Sequence, residues 1–239
     1  MTAAARLETA AAADPRLIVP LDLPDLDQAR AMVEALGEAV SFYKVGLELF
    51  ASGGMTLARD LKAQGKQVFL DWKLHDIGTT VQRSAAVLAD SGCDLLTVHG
   101  EPQVMAAAVR GRGRSSLKIL AVTVLTSLSD EDLAEMGYSE NARTLVERRI
   151  HQAVAAGCDG VVASPHEAQL ARAIGGPDFL VVTPGVRPDW SAKNDQARAA
   201  TPAQALAAGA SHIVCGRPIT GANDPQAAAL RIVAEMAGA

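Results

Sequence analysis

The sequence predicts an α/β protein built as a single (β/α)8 barrel, the TIM-barrel architecture. Three observations predict it. Short β-branched runs alternate with Ala-rich amphipathic stretches along nearly all of the 239 residues, which is the pattern of βα units around a parallel sheet. Eight such runs can be counted. The turn after the first, LDLPDLD at 21–27, lacks the glycine-rich fingerprint by which a doubly wound open sheet usually announces itself.

In chain order the expected strands are RLIVPLD (16–22), SFYKVGL (41–47), QVFLDWK (67–73), DLLTVHG (94–100), LKILAVTVLT (117–126), DGVVAS (159–164), FLVVTPG (179–185) and HIVCG (212–216). Helical stretches fill the gaps, among them 25–39, 54–65, 79–92, 140–157 and 201–209. Several end at the glycine that a helix C-terminus favours. Eight strands with about eight helices is the arithmetic of the barrel. No Pro- or Gly-rich linker interrupts the pattern, so one catalytic domain is expected over 16–239. The preceding stretch 1–15, MTAAARLETAAAADP, is broken by Arg6, Glu8 and Asp14. It reads as a flexible tail and lacks the continuous apolar core of a secretory signal.

Composition narrows the function classes. Hydrophobic residues make up 49% and charged residues 21%, which excludes wholesale disorder, collagen-like repeats and a disulfide scaffold. A chain of this size buries roughly 70 to 75% of its unfolded surface. The net charge of −5 argues against nucleic acid or a membrane as partner, so an anionic substrate has to be captured locally. No apolar run approaches the length of a membrane span. Cys93, Cys158 and Cys215 are odd in number and form no CxxC, as expected of buried thiols in a reducing, cytoplasmic setting. The five histidines show no HExxH or HxH spacing, and no metal site is expected. The one GxG, Gly111 with Gly113, belongs to a basic stretch with Arg110, Arg112, Arg114 and Lys118 that reads as a solvated turn.

In a barrel the chemistry sits at the C-terminal ends of the strands. Here those ends carry Asp22, Lys44, Asp71 with Lys73, His99, Thr126 with Ser127, Thr183 with Pro184, and Gly216 with Arg217. Asp71 and Lys73 are two apart on a strand, which points both side chains to the same face. Asp76 follows at the turn into the next helix, near Thr79 and Thr80. Burying several charges costs several kcal/mol each, so a purely structural ion pair is the weaker explanation. The seventh and eighth runs end in TPGVRP and CGRP. Glycine admits close backbone approach, Arg217 can grip a phosphate bidentately, and the loops after strands seven and eight are the usual phosphate site of such barrels. The polar stretch 185–202 suits either a closing lid or a plain surface loop.

With these residues placed, the chain resembles the orotidine 5'-phosphate decarboxylase family of the bacterial type, from about Arg16 to about Met236. The anchors come in order: PLD at 20–22, KVG from Lys44, FLDWKLHDI at 69–77, AVTVLTS at 121–127, VTPGVRP at 182–188, DQAR at 195–198 and GRPIT at 216–220. The resemblance implies decarboxylation of orotidine 5'-phosphate to uridine 5'-phosphate without a cofactor, the last step of de novo pyrimidine biosynthesis. It implies Lys73 as the lysine that stabilises and protonates carbon 6, with Lys44, Asp71 and Asp76 completing an alternating charge network. Asp76 would be donated by the neighbouring subunit of a homodimer, and Ile77 and Thr80 would reach across the same interface. Asp22 matches a ribose contact, Thr126 or Ser127 faces the pyrimidine, and Arg187, Gln196, Gly216 and Arg217 match the phosphate and lid positions. The motif departs from the frequent DIPNT form in having Gly78 and Thr79 between Ile77 and Thr80.

The residue types suit the reaction. Loss of carbon dioxide leaves an electron pair that the ring delocalises poorly, and a fixed cation beside carbon 6 answers that need. A metal-dependent sugar-phosphate enzyme on the same barrel is the nearest rival, but a lysine at position 44 repels a divalent cation. A catalytically silent nucleotide-binding barrel is the alternative from another class.

Overall fold

A computed structural model of the protein describes residues 13–191 and 200–238. The eight expected runs are the eight strands: β1 (Leu17–Pro20), β2 (Phe42–Gly46), β3 (Gln67–Leu74), β4 (Leu95–His99), β5 (Lys118–Val122), β6 (Gly160–Val162), β7 (Leu180–Thr183) and β8 (His212–Val214). They pair in sequence order, and β8 closes on β1 to complete a barrel in which every pair is parallel. Seven of the strands are shorter than the apolar runs suggest, and β3 runs one residue further, to Leu74. β5 stops at Val122 because Thr123 turns both its amide and its hydroxyl onto the carbonyl of Val162, and the ladder ends there.

Among the described residues eight α-helices form the outer ring: α1 (Leu26–Leu36), α3 (Gly54–Ala63), α4 (Gly78–Ala89), α5 (Pro102–Arg112), α7 (Ala142–Ala156), α8 (Ala168–Gly175), α9 (Pro202–Ala207) and α11 (Pro225–Met236). Three short helices stand beside them at the strand and loop ends, α2 (Leu47–Phe50), α6 (Asp130–Glu135) and α10 (Arg217–Thr220). Local signals start and stop the ring. Asp25, Asn141, Thr201 and Asp224 each accept a backbone amide at a helix start, and Gly157 ends α7 with φ 78°, a left-handed value glycine adopts without strain.

Two apolar layers hold the barrel. The larger lies between the strands and the helices. The smaller fills the barrel itself and consists of Ile18, Phe42, Phe69, Leu95, Leu120, Val182 and Val214, with Val162 and Leu180 against it. Phe42 and Phe69 are 1% exposed, and each such buried side chain stabilises the fold by roughly 1.5–3 kcal/mol. Since side chains alternate along a strand, the residues two further on also face inward. They are Pro20, Lys44, Asp71, Thr97, Val122, Pro184 and Gly216. An apolar plug is thus capped by one tier that holds the charges.

The opposite end of the barrel is structural. Arg112 and Lys118 both pair with Asp159, Lys118 at 3.2 Å, and the Asp159 carboxylate also accepts the amide of Ile119. The basic stretch is therefore in part an ion-paired clamp between β5 and β6, and Arg112 and Lys118 are not simply solvated. Gly111 serves close helix packing, since a Cβ there would come 2.2 Å from the carbonyl oxygen of Gln82 on α4. All three cysteines are free and buried, and burial pushes the Cys158 and Cys215 thiols up to about 12, where they stay unreactive. Asp14 is tied to Arg16 by ion pair and backbone bonds, while residues 1–12 lie outside the described residues. Among the described residues no helix is long and apolar enough to cross a membrane.

Candidate active site

The charged tier closes into one chain of contacts at the C-terminal mouth. Lys44 Nζ donates to Asp22 Oδ1 at 2.9 Å and lies 3.3 Å from Asp71 Oδ2. Lys73 Nζ meets the other Asp71 oxygen, Oδ1, at 2.9 Å. Signs therefore alternate Asp22, Lys44, Asp71, Lys73. The Asp71 side chain is 15% exposed and that of Lys44 10%. Burial alone would raise the Asp71 carboxyl, but Lys44 and Lys73, with hydrogen bonds from Lys73 and Thr97, hold it below the usual carboxylate range. The carboxylate is thus fixed as an anion between two ammonium groups.

Asp71 and Lys73 meet as the sequence suggests, but not by simple alternation. Leu70 pairs with Leu96 and Leu74 with Val98, so Asp71, Trp72 and Lys73 on β3 stand opposite the single residue Thr97 on β4. The strand bulges, and Lys73 takes φ 48°, alone among the described non-glycine residues in the left-handed region. Such a conformation costs of the order of 1–3 kcal/mol and persists where surrounding contacts over-determine it. Trp72 is meanwhile carried outward, buried and edge-on to Phe50 at 4.6 Å.

Above the tier opens a cavity of about 330 Å³. Asp22, Lys44, Asp71 and Lys73 form one wall, and Thr126, Gly185, Arg187, Gly216 and Arg217 line the rim. Phe69, Val122, Val162 and Val214 make its floor, with Val124 and Leu125 at the side. The site is thus apolar around one flank of charge, with basic groups and glycines beyond. At Gly185 φ is 78°, and a Cβ on Gly216 would come 2.9 Å from Pro20 Cγ, so both positions favour glycine for conformation or space.

Some expected residues lie elsewhere. Asp76, Ile77 and Thr80 are exposed and outside this cavity, and the Asp76 carboxylate accepts the amide of Ile77 at 2.6 Å. Ser127 is exposed and does not line the cavity, which leaves Thr126 of that pair. Thr183 is buried and faces away, while Pro184 lines the wall. His99 stacks with His75 at 4.8 Å beside the Glu101–Arg149 pair and is outside the cavity. Gln196 lies outside the described residues. Among those residues no group of His, Cys, Asp and Glu forms a metal site.

Sequence reasoning missed Thr97 and Gly46. Thr97 Oγ1 donates to Asp71 Oδ1 at 2.9 Å and accepts the Lys73 amide at 3.0 Å. It stands two residues before His99, so the alternation that exposed the other inward residues points to it as well. Gly46 leaves room for the ion pair, because a Cβ there would stand 2.5 Å from Asp22 Oδ1 and 3.1 Å from Lys44 Nζ. Its extended backbone, φ −92° and ψ −174°, accepts any residue, so Gly46→Ala is expected to fold and to displace the Asp22 carboxylate instead. Steady-state kinetics with the substrate assigned below should then show kcat/KM reduced by about tenfold or more, the scale set by misplacing a site group by about 1 Å.

The comparisons with known proteins agree with this geometry. The family described as "Orotidine 5'-phosphate decarboxylase / HUMPS family" matches residues 15–232. A Caulobacter vibrioides protein named orotidine 5'-phosphate decarboxylase is 76% identical over 230 residues, covering 95% of this chain and 99% of that relative. A Rhodopseudomonas palustris protein of the same name is 57% identical over 224 residues, 94% of each chain. The crystal structure of orotidine 5'-phosphate decarboxylase from Lactobacillus acidophilus superposes with a TM-score of 0.82 at 40% identity, over 93% of this chain and 99% of that one.

Proposed function

Because the chain belongs to the orotidine 5'-phosphate decarboxylase / HUMPS family, we propose a residue-level account of how its charged mouth performs the family's carboxy-lyase reaction. The chain decarboxylates orotidine 5'-phosphate in pyrimidine biosynthesis. Lys73 is the reacting group. As the bond from carbon 6 to the carboxyl breaks, the electron pair stays on carbon 6 and carbon dioxide departs. The Lys73 ammonium stabilises that pair and transfers a proton to it, giving uridine 5'-phosphate, and the resulting amine regains a proton from water.

The observation that carries this reading is the Asp22–Lys44–Asp71–Lys73 chain at the wall of a cavity whose rim holds Arg187 and Arg217. Asp71 grips Lys73 Nζ and aims it. Asp22 takes the ribose side, and Thr126 the pyrimidine side. Gly216 and Arg217 take the phosphate, with Arg187 and Gln196 from the stretch expected to close over it. One unit-charge contact at 4 Å is worth about 4 kcal/mol at an effective dielectric near 20, against roughly 8 to 23 kcal/mol for enzymes in general. Remote phosphate binding supplies part of the remainder by excluding water and holding the charges preorganised.

The active unit is a homodimer in the cytoplasm. Asp76 and Ile77 are exposed at the end of β3, and Leu47 and Phe50 are more than half exposed at the end of the adjoining β2. This apolar rim around an acid suits a second copy, whose Asp76, Ile77 and Thr80 would complete the first copy's site. Lys44 stands between the carboxylates that a divalent ion would need, so no metal or other cofactor is assigned.

Purified protein incubated with orotidine 5'-phosphate is expected to change the ultraviolet absorbance of the pyrimidine at the same rate with and without EDTA. A flat trace from folded protein overturns the reading. Loss in EDTA that magnesium restores overturns the metal-free site.

A further inference from the structure

Thr97 is completely buried in the middle of β4, in the tier that carries Lys44 and Asp71, yet it is not among the residues lining the cavity. It stands opposite the bulge, where three residues of β3 face this one residue of β4. The Lys73 amide consequently leaves the regular ladder and donates to Thr97 Oγ1 at 3.0 Å. The same hydroxyl directs its own proton to Asp71 Oδ1 at 2.9 Å. One hydroxyl thereby joins the backbone of the residue with the left-handed φ to the carboxylate that grips both ammonium groups. The geometry points to Thr97 as a positioning residue for decarboxylation: it fixes the Lys73 main chain and the Asp71 carboxylate together, and so aims Lys73 Nζ, without touching the substrate.

The chemistry of the position is narrow. The group has to accept one hydrogen bond and donate another within a sealed layer, which a hydroxyl does and an alkyl group of the same shape does not. Lys73 at φ 48° needs an external restraint, and among the described contacts Thr97 is what binds its amide. Removing the hydroxyl frees the Lys73 backbone to relax and deprives Asp71 of a donor on the oxygen that also meets Lys73 Nζ. The Lys44 contact, to the other oxygen, is untouched. The loss therefore falls on the reacting lysine and not on the groups assigned to phosphate and ribose.

This inference rests on the role given to Lys73 above, and the test separates the two. Thr97→Val removes the hydroxyl at constant shape, and Thr97→Ser keeps it. Decarboxylation kinetics and calorimetric binding of uridine 5'-phosphate are measured for both alongside the unsubstituted protein. Thr97→Val is expected to lower kcat by about 10- to 100-fold, the scale of a lost hydrogen bond to a charged group compounded by misplacement. KM and the Kd for uridine 5'-phosphate are expected to stay within about threefold, and Thr97→Ser to keep kcat within about threefold, since binding and hydroxyl are both retained. Unchanged kcat in Thr97→Val overturns the inference, as does a serine variant as impaired as the valine one, or a Kd that rises in step with the fall in kcat. Should Thr97→Val fail to fold, Thr97→Cys, a poor donor of similar size, replaces it with the same criteria. An unsubstituted protein inert toward orotidine 5'-phosphate overturns the functional reading itself, before any variant is compared.

Discussion

Lys73→Ala is expected to lower kcat for decarboxylation of orotidine 5'-phosphate by about five to seven orders of magnitude, the combined loss of a fixed charge and a proton donor. The charge alone, at about 4 Å and an effective dielectric near 20, accounts for about 4 kcal/mol, or about a thousandfold. A positioned general acid contributes a further 10²- to 10⁴-fold or so. Affinity for uridine 5'-phosphate should fall far less, because Arg187 and Arg217 at the basic rim follow β7 and β8, whereas Lys73 lies on β3. The measurement is turnover at saturating substrate together with calorimetric binding of the product. Turnover near that of the unsubstituted protein would remove Lys73 from the mechanism.

A heterodimer of one Lys73→Ala protomer and one Asp76→Ala protomer, purified through two different affinity tags, is expected to recover about half of the normal activity per dimer, although each parent homodimer is inactive. In a two-fold assembly with shared sites, one site collects both lesions and the other neither. Both the proposed homodimer and the positions of the two groups lead to this result. Lys73 is tied to Asp71 within its own chain, whereas Asp76 is exposed and bonds to the adjacent amide of Ile77. A heterodimer as inactive as its parents would confine Asp76 to its own protomer's chemistry or to none.

Much of this molecule is legible in its sequence because the barrel repeats one unit eight times. A β-branched run marks each strand, and the polar residue at its end marks the mouth, which is how Asp22, Lys44 and Asp71 come to notice. What escapes is set by contacts between distant segments. Arg112 meets Asp159 across 47 positions and Lys118 meets it across 41, so the basic stretch looks solvated when read locally. The end of β5 is misjudged because the apolar run continues past Val122, while the pairing with β6 ends at Val122 opposite Val162. Lys73 is the deeper case. Nothing in its side chain announces a left-handed backbone, since asparagine, aspartate and glycine are the residues usually found there, and the bulge arises only from the pairing of β3 with β4.

The separation between plug and tier has a consequence for altering this enzyme. Ile18, Phe42, Phe69, Leu95, Leu120, Val182 and Val214 keep the cylinder closed, while reactivity resides one pleat higher. Libraries at positions 44, 71 and 73, with Thr97 and Gly216 held constant, would therefore sample new chemistry over an untouched foundation, and a lineage drifting toward another substrate could rewrite those charges without relearning how to fold.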